Sequence, residues 1–175
     1  MKKMMLFLSI LIIIYYPLYA NGQTSGEPDP RLMDALDLSN FSEQTKKLIK
    51  IASKELCIRP YEEGVIPKLG YYQNPIEVHK VESNGTMAEI IDYNRFTCIE
   101  GFHDFSGTSG APLKLVINGK IINFGHHRSW KVIEYSENQP VLLVSRHGLW
   151  CDRAGYRACI SAYVYEEGEF VHAKN

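Results

Sequence analysis

Apolar and polar positions divide the chain into regions of different texture. Lys2 and Lys3 precede an almost unbroken apolar run over 4–16, which closes on Pro17-Leu18-Tyr19-Ala20. A basic start, an apolar run shorter than the roughly 20 residues of a spanning helix and a small residue at the end predict a cleavable signal peptide over 1–20. Positions 21–38 start with a stretch rich in Gly, Ser, Pro and polar residues, lack apolar periodicity and are expected to form a flexible leader. Further on, Leu48, Ile49, Ala52 and Leu56 recur at helical spacing with lysines on the other face. They predict an amphipathic helix over roughly 41–57, with Asn40 and Glu43 as a capping box and Pro60 as its stop.

After Tyr61 short runs of Val, Ile, Tyr and Phe alternate with Gly, Asn and Pro, the texture of an antiparallel sheet. Strands are predicted over 76–82, 87–94, 113–118, 120–124, 130–135, 141–146, 160–165 and 169–172. Asn118-Gly119 marks a tight primed-turn hairpin, and 166–168 marks the last one. The expected fold is α+β and mainly antiparallel β: a β-meander of about six to eight strands with one N-terminal amphipathic helix, in a single domain over 39–175.

Four cysteines follow the predicted signal, so they would enter an oxidising compartment where a disulfide framework persists. Cys151 and Cys159 flank a short segment with a turn at Gly155-Tyr156 between two strand-like runs, which favours a local bridge. Cys57 and Cys98 then pair by elimination and tie the helix to the body, the alternative being a buried free thiol at 57 and an unpaired one at 98. The spacing does not match a zinc site. The residue directly after Ala20 is Asn21 and not a cysteine that could carry a lipid, so no membrane anchor is expected to survive cleavage.

Removing Lys2 and Lys3 with the signal leaves the rest of the chain two charges more acidic than the net −1 of the whole, and no Lys or Arg cluster forms a phosphate-tracking stripe. Nucleic acid is therefore not an expected partner.

Several groups invite chemistry. Gly107-Thr108-Ser109-Gly110-Ala111-Pro112 resembles the nucleophile segment of chymotrypsin-like serine proteases. The chain before it is too short for the barrel that supplies His and Asp in that family, and His79 and Asp92 lie too close in sequence to sit on separate loops. Six histidines are present, of which His103, His127 and His147 would form a metal site only if their strand ends shared one rim. His126 and His127 are adjacent and would point to opposite faces of a strand. The stretch from Glu82 to Asp92 keeps only a degraded outline of a calcium loop, and Asn84-Gly85 reads as a plain turn. Tyr163 and Tyr165 share one strand face, either as a contact stripe or as cross-strand packing. No cofactor is called for.

Glu82-x-Asn84-Gly85, Ile90-Ile91-Asp92-Tyr93, Cys98, Gly107-x-x-Gly110, Trp130, His147-Gly148-x-x-Cys151, Gly155, Cys159 and Phe170 occur in that order. The pattern, spanning 81–170, resembles small exported domains of alphaproteobacteria with no assigned activity. Ser106 and Ala111 stand where that pattern has further cysteines, and its calcium-like carboxylates are diluted. The resemblance implies an exported disulfide domain and agrees with the local bridge.

The expected function is that of a noncatalytic protein of the bacterial envelope, periplasmic or secreted, binding an envelope or extracellular macromolecule or serving as a structural part. Asp152, Arg153, Tyr156 and Arg157 are the candidate contact loop. One alternative is a secreted inhibitor that plugs a hydrolase with the loop 152–158. Another is a metal-dependent hydrolase using His127, His147 and an acidic residue.

Overall fold

Helix α1 (Glu43–Leu56) forms where the apolar spacing predicts it, with Leu48, Ile49 and Ala52 buried against the body. Its start is not the predicted capping box. Ser42 is the N-cap, its Oγ accepting from the Thr45 N–H at 3.3 Å, while Glu43 instead pairs with Lys46 on the surface at 2.8 Å. The helix ends at Cys57, before Pro60. The computed structural model describes residues 36–57, 59–82, 85–102, 107–136, 139–155 and 157–173. The predicted signal peptide, the leader as far as residue 35, Asn84, His103, Ser106 and Tyr156 lie outside them.

The strands follow in chain order as β1 (Arg59–Pro60), β2 (Lys68–Tyr71), β3 (Ile76–Lys80), β4 (Met87–Asp92), β5 (Phe96–Ile99), β6 (Gly101–Phe102), β7 (Ala111–Ile117), β8 (Lys120–His127), β9 (Ser129–Ser136), β10 (Gln139–Arg146), β11 (Cys159–Glu166) and β12 (Glu169–His172). All eight predicted strands are present. The total exceeds six to eight, because β1, β2, β5 and β6 add to the eight that were predicted.

The topology also departs from a simple meander. Two four-stranded antiparallel sheets carry the fold, ordered β3-β4-β7-β8 and β12-β11-β10-β9, and only the second connects neighbours in strict succession. Between β4 and β7 the chain leaves the first sheet, so that β5 pairs with β2 and β6 with β1. This excursion satisfies the backbone of the segment that follows α1, which would otherwise lie against the body with its polar groups unpaired.

The first sheet is covered on both faces. On one, Ile91 and Val116 meet Leu48, Ile49, Ala52 and Phe96 in a core under α1. Leu36 and Leu38, at the end of the predicted leader, pack against the same core. On the other face Ala88, Ile90, Leu113, Leu115 and Ile117 meet Leu142, Val144, Tyr165 and Phe170 of the second sheet. Burying each such Leu, Ile or Phe contributes roughly 1.5–3 kcal/mol. Tyr163 and Tyr165 belong to this inner packing; Tyr163 meets Phe124 edge-on at 4.8 Å between ring centres.

The predicted turns form as expected. Asn118 and Gly119, at φ 48° and 75°, join β7 to β8, and Glu167 and Gly168, at φ 49° and 88°, join β11 to β12. The chain passes from the first sheet to the second across Arg128 alone, whose N–H donates to Ser145 O at 2.8 Å.

Both cysteine pairs are joined: Cys57 to Cys98, from the helix end to β5, and Cys151 to Cys159. Two such bridges place maturation in an oxidising compartment. Among the described residues no helix is long and apolar enough to cross a membrane.

Candidate functional site

The segment closed by Cys151 and Cys159 stands at one end of the second sheet. Strand β10 ends at Arg146, which pairs in register with Cys159, so the staple ties the interior of the loop joining β10 to β11 back to the start of β11. His147 leads into a 3-10 turn over Gly148–Cys151, and Asp152 then takes a left-handed conformation at φ 53°. The Gly148 N–H donates to Gly155 O at 3.3 Å, and the Arg153 N–H donates to Gly148 O at 2.9 Å.

Two glycines of this loop sit at close approaches, and at Gly148, which meets backbone, no larger residue fits. A Cβ on Gly148 would overlap the carbonyl oxygens of Ala154 and Arg157, and one on Gly155 would overlap the His147 ring. The loop is therefore closed on the inside by backbone at Gly148 and by the His147 ring at Gly155, while several of its other side chains are exposed. Leu149 is 73 % exposed, Trp150 62 % and Ile160, just beyond the second cysteine, 69 %. Asp152, Arg153 and Arg157 are exposed beside them. A short stapled loop with an exposed leucine and tryptophan just before its first cysteine, an exposed isoleucine just after its second and arginines within it has the composition of a protein-contact anchor, where Trp and Arg are enriched and the disulfide has already removed part of the mobility.

Sequence reading located the loop but not Leu149 and Trp150. The available signal is their position: they fall after the end of β10 and before the staple, where no sheet face exists to bury them.

Among the described residues the histidines do not gather. His127 is wholly buried in β8. Its Nδ1–H donates to Ala111 O at 2.7 Å, and its Nε2 faces Asp92 Oδ1 at 3.0 Å, so neither nitrogen is open to an ion or a substrate. His147 packs against Gly155 in the stapled loop, its Nδ1 buried without a hydrogen bond. Among the described residues no three His, Cys, Asp or Glu side chains group as metal ligands.

Asp92 is the centre of a polar knot between the sheets. Its carboxylate accepts from the Asn94 N–H at 2.9 Å and from Trp130 Nε1 of the second sheet at 2.9 Å, and pairs with Arg95 Nε at 3.2 Å. Burial alone would raise its pKa, but the hydrogen bond and charge of His127, with the donors from Trp130 and Asn94, outweigh burial and hold it below the usual carboxylate value. Arg95 continues to Glu77 at 2.7 Å and lies over the Trp130 ring. This is a structural joint.

The protease-like segment is also structural. Gly110, at φ 84°, closes a turn onto Gly107 O and lies so near His127 O that any Cβ would collide with it. Ser109 Oγ lies 3.2 Å from His126 Nδ1 at the surface, whereas Asp92 is engaged with His127 on the opposite face of β8. Serine, histidine and carboxylate are thus split between two histidines, and no relay connects them.

No protein-family model matches the chain, and no curated protein or solved structure matches it either.

Proposed function

We propose that this is a noncatalytic exported domain of the bacterial envelope, periplasmic or secreted, that recognises another protein through the stapled loop. The observation that carries the reading is the exposure of Leu149, Trp150 and Ile160 around a disulfide-closed turn. The polar groups with catalytic potential support it from the other side, since Asp92 is engaged with Trp130 of the second sheet and His127 with Asp92 and Ala111 O inside the first.

A cross-linked projecting loop with a large aromatic residue also suits insertion into a partner's cleft, so inhibition of a hydrolase is the sharper form of the same proposal. The test is capture from native envelope extract using wild type, Leu149→Ala, Trp150→Ala and Arg153→Ala. Loss of the Trp150 side chain is expected to weaken capture at least tenfold, as hot-spot truncations of about 2 kcal/mol do. Equal recovery with all three variants would remove the loop as the binding site.

A further inference from the structure

Between α1 and the chain entering β2 lies a cleft of about 700 Å³, within the size range of small-molecule sites. Its apolar wall comes from Ile49 of α1, Leu69 and Tyr71 of β2, and Phe96 of β5. Ile66 also lines it while remaining 79 % exposed.

The rim is cationic. Lys46, Lys50 and Lys54 follow one another at intervals of four on α1, which stacks them along one helix face, and Lys68 comes from β2. Lys46 is neutralised by Glu43, but among the described residues no carboxylate pairs with Lys50, Lys54 or Lys68. Besides the hydroxyls of Ser53 and Tyr71, every polar side chain lining the cleft is a lysine, a group that only donates hydrogen bonds.

We propose that this cleft binds a single-chain anionic amphiphile, a long-chain fatty carboxylate, with its alkyl chain along Ile49, Leu69, Tyr71 and Phe96 and its head group among Lys50, Lys54 and Lys68. A carboxylate brings acceptors alone, matching a rim of donors. A bound peptide would also bring a row of backbone N–H groups, for which the lining side chains offer as acceptors only the hydroxyls of Ser53 and Tyr71. A neutral lipid would leave the unpaired lysines without purpose.

The experiment is calorimetric titration of the oxidised protein from its native host with dodecanoate, below its micelle concentration, with decanoate and dodecanol for comparison. One saturable dodecanoate site is expected. Decanoate should bind roughly tenfold more weakly, from the loss of two buried methylenes, and dodecanol at least tenfold more weakly. The triple variant K50E/K54E/K68E should lose at least tenfold for dodecanoate and nothing for dodecanol. These lysines are at the surface, and an unchanged circular-dichroism spectrum would show the variant folded. The proposal is overturned by absence of saturable binding, by equal affinity for acid and alcohol, or by indifference to charge reversal. It is equally overturned if an acidic apolar peptide binds more tightly than dodecanoate, or if dodecanoate binds only after residues 21–35 are removed, which would make the chain's own leader the occupant.

Discussion

Asp92 shows how one buried side chain can hold two layers. It lies in β4, accepts from Trp130 in β9 and faces His127 in β8, so its carboxylate fastens the sheets where their strands converge. Because its folded pKa lies below the ordinary 3.8, the stability it contributes is fully present above that value and is lost as pH falls through the lower folded one. Wild type should therefore lose stability below about pH 4. Asp92→Asn should lose about 3 kcal/mol or more at neutral pH, with a flatter acid limb, because breaking a buried pair strands its partner. Urea midpoints between neutral and acidic pH test this; an unchanged acid slope in the variant would assign the loss to other carboxylates.

At the scale of the element, α1 depends on a residue far outside it. Glu89 of β4 accepts from the Ser42 N–H at 2.8 Å, from Ser42 Oγ at 2.7 Å and from Thr45 Oγ1, placing a carboxylate at the helix N-terminus. Glu89→Ala is expected to cost about 2–3 kcal/mol in urea denaturation, in line with hydrogen bonds to a charged group. Glu43→Ala, which removes a surface pair, should cost less than about 0.5 kcal/mol. Comparable losses would contradict the long-range cap. The apolar period of α1 and the strand-like texture of the eight predicted strands were legible because each is a local pattern. The Ser42 cap was not, since its carboxylate partner lies 47 residues away. Nor was the pairing of β2 with β5, whose register follows from the excursion between β4 and β7 rather than from either segment. The stapled loop was legible from its cysteines, but Trp130 and Trp150 look alike in sequence; only the sheet edge makes one an inner donor and the other an exposed ring.

Across the whole molecule the two disulfides have different reach. Cys57–Cys98 closes a separation of 41 residues and joins the helix to β5, whereas Cys151–Cys159 closes one of 8. In the chain-entropy model they contribute roughly 4 and 2.5 kcal/mol. Replacing Cys57 and Cys98 by Ser should therefore lower the urea midpoint further than replacing Cys151 and Cys159. The reverse order would mean that the stapled loop supports the body more than its exposed position implies.

The single-residue passage at Arg128 makes β8 and β9 one continuous ribbon bent between two layers, with Gly110 pressed against its inside corner and Trp130 reaching back just beyond it. Neither layer can loosen without dragging that ribbon with it. What looks like two sheets is mechanically a single folded sheet of paper, and its crease is where a local defect would be felt on both sides.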